Sequence, residues 1–179
     1  MRVAVSGHPG VGKTTFVQGL AAALPLRVGG IVTQEIRVVG RRVGFTLKDL
    51  ATGEEGILAH LHHAQGPQLG RYRVHTHDLE EIGAAAIERA AREAELVVID
   101  EVGPMELTSE RFVQAVRKAL HSDTHLLVTV HRSSKHSLTY VIRQHVDHHL
   151  HLSYRNRDRL LEYARGLFLA SGGNSTPPR

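Results

Sequence analysis

Short apolar runs alternate with amphipathic stretches along most of the chain. Residues 3–5 form an apolar run typical of a buried strand, and from Lys13 onward the apolar positions follow the helical period. Strands that alternate with helices in this way predict a mostly parallel sheet with helices on both faces, which is a three-layer αβα sandwich. The further strands predicted from such runs cover 28–37, 96–99, 126–130 and 149–152, and the further helices cover 79–90, 112–120, 138–142 and 157–168.

One segment departs from the alternation of strands and helices. Residues 39–42 resemble a turn, and residues 43–47 alternate between apolar and polar side chains, as in a half-exposed strand. Together with the strand that precedes the turn, they predict an antiparallel hairpin. Residues 51–77 are rich in Gly, His and Gln, and predict only short strands, at 56–61 and 71–74.

The pattern also predicts where elements and domains begin and end. Asp78, followed three residues later by Glu81, predicts a capping box at the start of a helix. Residues 1–170 are long enough for one domain with a real core. Residues 171–179 consist mainly of Gly, Ser, Pro and Asn, and predict a disordered tail.

A glycine-rich loop joins the first strand to the first helix, and its residues 7–14 read G-x-x-x-x-G-K-T. Strand, loop and helix is the order required for the Walker A phosphate-binding motif. Glycines allow the backbone N–H groups to curl around a phosphate, and the helix adds its positive N-terminal end. Lys13 would reach the β- and γ-phosphates, and Thr14 would offer its hydroxyl to Mg²⁺. The nucleotide-binding residues predicted here are Gly7, His8, Pro9, Gly10, Val11, Gly12, Lys13, Thr14 and Thr15.

Another predicted strand, beginning at residue 96, leads into two carboxylates, Asp100 and Glu101. An apolar strand that delivers an Asp matches the Walker B motif, so Asp100 is a predicted Mg²⁺ residue. Glu101 can point at the γ-phosphate and polarise a water, which would make it the general base; the alternative is a surface Glu in a loop. The reaction also needs cations beside Lys13. The candidates are Arg132, Arg155 and Arg157, with Arg37, Arg41 and Arg42 of the hairpin either covering the phosphates or serving as surface charge.

Composition narrows the function classes. The 179 residues contain no cysteine, which excludes disulfides and thiolate metal sites and is compatible with a cytoplasmic location. No apolar run approaches the roughly 20 residues of a membrane span, and the first residues do not resemble a signal peptide. Aromatic residues make up 4%, which argues against base-stacking nucleic-acid modules. The net charge of +4 suits a polyphosphate site better than RNA or DNA.

Fourteen histidines are present, many of them in two clusters at 60–63 and 145–151. These clusters either bind a metal or form polar surface. Neither has the spacing of a recognised catalytic zinc motif.

Four blocks together resemble the small cancer-related nucleoside-triphosphatases, a family also described from thermophilic prokaryotes. They cover 6–15, 30–37 with 40–45, 98–107 and the pair Asn156-Arg157. The resemblance implies a RecA-like P-loop domain of the Glu-after-Asp class. It also implies slow, Mg²⁺-dependent hydrolysis of ATP, GTP and other nucleoside triphosphates, with low base selectivity.

The resemblance carries over residue by residue, with departures at two sites and in the segment 51–77, which matches the family poorly. Lys13 and Thr14 carry over as phosphate and Mg²⁺ residues, and Asp100 and Glu101 as the metal and water-activating pair. Asn156 and Arg157 carry over as contacts to the nucleotide. The family usually has Lys where this chain has Pro104, and its Thr-Glu-Glu is Thr33-Gln34-Glu35 here.

Two other functions use the same loop. A small kinase would pass the phosphoryl group to an acceptor hydroxyl in place of water. A nucleotide-dependent binding protein would use slow hydrolysis as a timer, with its basic surface contacting RNA. Phosphate release without an acceptor separates hydrolysis from the kinase alternative.

Overall fold

The computed structural model describes residues 1–171, and nine strands within them form one mixed sheet. The strand order across this sheet is β5-β6-β4-β3-β2-β7-β8-β1-β9. The strands are β1 (Arg2–Gly7), β2 (Val28–Val38), β3 (Arg41–Asp49), β4 (Glu55–His60), β5 (Gln68–Leu69), β6 (Tyr72–Val74), β7 (Leu96–Val102), β8 (His125–Val130) and β9 (His148–Leu152).

Five strands, β2, β7, β8, β1 and β9, pair in parallel. Because the carboxyl ends of parallel strands meet at one edge of the sheet, the loops that follow β1, β7 and β8 lie together there. β8 lies between β1, which leads into the glycine-rich loop, and β7, which carries Asp100 and Glu101. The predicted P-loop α/β fold is therefore present.

The antiparallel part of the sheet is larger than the predicted hairpin. β2 and β3 form that hairpin, and β4, β6 and β5 continue from its outer edge. β2 pairs with β7 only as far as Ile31, whereas its pairing with β3 continues to Val38. The end of the hairpin therefore extends past the carboxyl edge of the parallel strands.

Helices cover both faces of the sheet. α1 and α6 pack on one face around Phe16, Leu20 and Phe168, while α3, α4 and α5 pack on the other. Successive residues of a strand contribute their side chains to the two cores alternately, because side chains alternate between the faces of a strand. Val97 and Val98, for example, pack in different cores. The helices are α1 (Lys13–Ala22), α2 (Thr76–Asp78), α3 (Ala85–Glu93), α4 (Glu110–His121), α5 (Ser137–His145) and α6 (Arg157–Ser171), with a π-helical turn (Leu79–Ala84) joining α2 to α3.

The predicted capping box at Asp78 is wrong. The helix begins at Thr76, three residues before the predicted first helical residue, and the His75 side chain caps it by accepting a hydrogen bond from the Asp78 N–H. The Asp78 carboxylate instead accepts the N–H of Ile57 at 2.8 Å, and Glu81 pairs with Arg111 at 2.6 Å. Both side chains of the predicted capping box therefore bind groups outside the helix and do not cap it.

The predicted domain end at residue 170 lies one residue before the end of α6. Ser171, placed in the tail by the sequence pattern, belongs to that helix. The rest of the predicted tail, 172–179, lies outside the described residues.

Candidate active site

The glycine-rich loop turns sharply between β1 and α1. Gly10 and Gly12 have φ angles of 76° and 91°, a left-handed conformation that favours glycine. Gly7 has no room for a side chain, because a Cβ there would lie 2.8 Å from the carbonyl oxygen of Leu152. The first-turn N–H groups of a helix lack intrahelical partners. In α1 no side chain caps them either, because the residue that precedes the helix is Gly12. These N–H groups and the positive helix end can bind an anion.

Thr14 and Asp100 meet at the carboxyl edge of the sheet. The Thr14 hydroxyl donates to Asp100 Oδ2 at 2.5 Å, and the Thr129 hydroxyl of β8 donates to Oδ1 at 2.6 Å. Asp100 is only 1% exposed, and this burial raises the pKa of its carboxyl group. A buried carboxylate beside a hydroxyl is an oxygen donor set that fits Mg²⁺.

Lys13 and Glu101 face each other beside this pair. The Lys13 Nζ lies 3.5 Å from Glu101 Oε2, and their side chains are 12% and 25% exposed. Both groups therefore remain accessible to a ligand. One small space thus combines a cation for phosphate with a carboxylate that can accept a proton.

A third carboxyl group, that of Glu106, lies behind Glu101. It is 4% exposed and accepts the Gly103 N–H at 3.2 Å. A Cβ at Gly103 would lie 3.0 Å from Glu101 Oε1 and 3.1 Å from Glu106 Oε2, so both carboxyl groups border one point. Burial, followed by the negative charge of Glu101, raises the pKa of Glu106 to about 8. The sequence analysis did not identify Glu106 as a site residue. The only indication was that Glu106 lies within 98–107, one of the segments that resemble the family.

The glycine-rich loop also borders a cavity of about 310 Å³. Lys13, His8 and Pro9 line it from the loop, and His131 and Arg132 line it from the segment after β8. Arg132 Nη1 lies 2.7 Å from His8 Nε2. Of the arginines considered from sequence, Arg132 is therefore one that the structure brings to the loop.

A second cavity, of about 560 Å³, lies near the same loop and is lined by Tyr154, Arg155 and Arg157, among others. The Tyr154 hydroxyl donates to the carbonyl oxygen of Gly10 at 3.2 Å, and Arg157 Nη2 donates to that of Val11 at 2.8 Å. Arg157 thus braces the loop from the side of α6.

The remaining predicted residues have other contacts. Asn156 uses both ends of its amide in its own turn, because it accepts the Ser153 N–H and donates to the His151 carbonyl. Its predicted nucleotide contact stays a prediction. Thr15 is exposed at the start of α1, and the Val11 side chain is buried in the core, so Val11 offers only its backbone to a ligand.

The hairpin arginines are engaged by neighbours on the antiparallel strands. The Glu35 carboxylate pairs with Arg42 at 2.9 Å and with Arg37 at 2.6 Å, and the hydrogen bond from Arg42, followed by that from Arg37, lowers the pKa of this carboxyl group. Arg42 also lies over the ring of Phe45, 5.1 Å from its centroid. Arg41 is exposed. These contacts stabilise the hairpin and give Glu35 a structural partner.

The histidines of the first cluster pack against other histidine rings. The rings of His60 and His62 lie 5.6 Å apart, and those of His63 and His75 lie 4.3 Å apart. Within residues 1–171, no group of three or more His, Asp and Glu side chains could hold a metal ion together. None of the helices within these residues is both long and apolar enough to cross a membrane.

Comparison with known proteins identifies the family. Residues 2–164 match the sequence model of a protein family described as NTPase. The chain belongs to this NTPase family. The nucleoside-triphosphatase THEP1 of Methanosarcina acetivorans is 47% identical over 177 residues, which cover 97% of this chain and 99% of that protein. The THEP1 of Thermofilum pendens is 51% identical over 136 residues, covering 74% of this chain and 75% of that protein.

Solved structures agree with this assignment to the NTPase family. The crystal structure of THEP1 from Aquifex aeolicus superposes with a TM-score of 0.84 at 32% identity, covering 93% of this chain and 98% of that one. The solution structure of a human cancer-related nucleoside triphosphatase gives 0.72 at 28% identity, with 99% of each chain covered. The family and the P-loop fold predicted from the sequence are confirmed.

Proposed function

We propose that this chain is a Mg²⁺-dependent nucleoside-triphosphatase that releases phosphate from ATP, GTP and other nucleoside triphosphates. The observation that carries the proposal is the meeting of Lys13, Thr14, Asp100 and Glu101 at one edge of the sheet. Membership of the NTPase family and the names of the relatives support hydrolysis. Those names give no support to the kinase alternative.

Each of these residues has a chemical role in hydrolysis. The first turn of α1 and Lys13 bind the phosphates and offset the charge that grows on the γ-phosphoryl group. Glu101 takes a proton from the attacking water, whose oxygen bonds to the γ-phosphorus as the bond to the β-phosphate oxygen breaks. Thr14 and Asp100 would hold Mg²⁺, which supplies positive charge to the β- and γ-phosphates when bound. We expect Arg132 to add a second cation, because it lines the same cavity as Lys13.

The cavity beside Tyr154 and Arg155 is our candidate for the nucleoside. Its volume of about 560 Å³ is within the range of small-molecule sites. An aromatic ring and guanidinium groups can stack on any base, because every base has a π-face. A site of this kind would select little between bases, which supports the broad specificity in the proposal. We also propose a cytoplasmic location, with which the absence of cysteine from the sequence is compatible.

The test is phosphate release from ATP, GTP and CTP with Mg²⁺ and no acceptor. We expect steady release from all three, and a loss of at least about a hundredfold in Lys13→Ala, because positioned charges at phosphoryl groups contribute on this scale. Glu162→Gln is the matched control, since its side chain is 70% exposed on α6. Tight nucleotide binding without release by the wild type would contradict hydrolysis.

A further inference from the structure

The end of β8 carries a histidine that the reaction described above does not use. His131 follows β8 directly, and its backbone N–H donates to the carbonyl oxygen of Val102 at 3.1 Å. β8 lies between the strand leading into the glycine-rich loop and the strand carrying Glu101. The backbone of His131 is therefore fixed between the two halves of the proposed site.

His131 is one of the residues that line the cavity shared with Lys13. Its Nδ1 atom is buried and has no hydrogen-bond partner within residues 1–171. A buried N–H without an acceptor is costly, which favours the tautomer of His131 with its proton on Nε2. Since Nδ1 is enclosed, Nε2 is the nitrogen that can donate to a ligand in the cavity.

The cavity suits one part of the nucleotide in particular. Lys13 reaches the outer phosphates in this motif, and Glu101 faces Lys13 at 3.5 Å. His131, at the end of β8, lines the same cavity as Lys13, whereas Tyr154 and Arg155 line the other cavity.

We propose that His131 donates its Nε2–H to the γ-phosphate and so distinguishes nucleoside triphosphates from diphosphates. This inference rests on the proposed function, because it assumes that a nucleotide occupies the loop. A diphosphate has no group for His131 to contact. The product of hydrolysis is then held less tightly than the substrate, which favours its release.

The test compares Mg²⁺-loaded ATP and ADP binding by calorimetry in the wild type and three variants. His131→Ala should weaken ATP binding about tenfold or more, as expected for a lost hydrogen bond to a charged group, and leave ADP binding unchanged. His131→Gln places an amide N–H near the position of Nε2 and should restore most of the ATP affinity. His77→Ala, which changes an exposed histidine on α2, should match the wild type for both nucleotides.

Three outcomes would overturn the assignment of His131. One is equal loss of ATP and ADP affinity in His131→Ala, which would indicate a structural role. The others are unchanged ATP affinity in that variant and failure of glutamine to restore it. If His131→Ala does not fold, wild-type ATP binding by His131→Asn and a loss in His131→Gln would also contradict the assignment. Phosphate release by the wild type is scored separately, so a failure of hydrolysis is distinguishable from a failure of this contact.

Discussion

Replacing Glu106 with glutamine tests the electrostatics behind the proposed general base. Glutamine keeps an oxygen for the Gly103 N–H, which Glu106 accepts at 3.2 Å, but it cannot ionise. The pKa of Glu106 is raised from 4.5 to about 8 in the folded protein, chiefly by burial. Between these values, the folded state holds a proton that the unfolded state has lost. The free energy of unfolding therefore falls as pH rises through this window.

The size of the effect follows from the two pKa values. Each pH unit between them lowers the free energy of unfolding by about 1.4 kcal/mol. From about pH 5 to about pH 8, the wild type should lose about 4 kcal/mol relative to Glu106→Gln. Below pH 4.5 the carboxyl group is protonated in both states, so the difference between the two proteins should stop changing.

Urea unfolding at several pH values, followed by circular dichroism, measures this difference. Glu162→Gln is the control, since it removes a carboxylate from an exposed position and should run parallel to the wild type. Parallel curves for Glu106→Gln and the wild type across the window would show that Glu106 ionises as freely as an exposed carboxyl group. That result would refute the reasoning.

Two further predictions concern the loop and the proposed metal ligands. Gly12→Ala should cost about 1–2 kcal/mol in urea unfolding and weaken nucleotide binding, because φ is 91° there and a Cβ would lie 3.0 Å from Arg157 Nη2. Gly19→Ala, in open space within α1, should instead stabilise the protein by up to about 1 kcal/mol, and equal effects at the two glycines would contradict the argument. Thr129→Val removes the hydroxyl that donates to Asp100 Oδ1 at 2.6 Å. The Mg²⁺ concentration that gives the half-maximal rate of phosphate release should therefore change. An unchanged Mg²⁺ dependence would exclude a role for Thr129 in orienting that carboxylate.

The parts of the fold that depend on local pattern were predictable from the sequence. The glycine-rich loop follows a strand and opens a helix, and its spacing alone located Lys13 and Thr14. The hairpin followed from alternation around a turn that contains Gly40. Apolar runs ending in carboxylates placed Asp100 at the same edge of the sheet as Thr14, and the two lie 2.5 Å apart in the structure.

The parts that depend on tertiary contacts were not predictable. The sequence around Asp78 matched a helix cap, but its carboxylate accepts a hydrogen bond from a backbone N–H of β4 instead. The burial of Glu106 has no local signature, since glutamate is normally exposed. The role of Arg157 as a brace depends on α6 packing beside the glycine-rich loop, which no spacing along the chain reveals.

The most direct test of the central claim is a paired measurement on Glu101→Gln. Glutamine keeps the shape of the side chain but cannot accept the proton of the attacking water. We expect Mg²⁺-ATP binding at least as tight as in the wild type, because Lys13 loses a carboxylate 3.5 Å away that competes with the phosphates. Phosphate release should fall by about a hundredfold or more, the usual contribution of a general base. Wild-type release by Glu101→Gln would contradict the account.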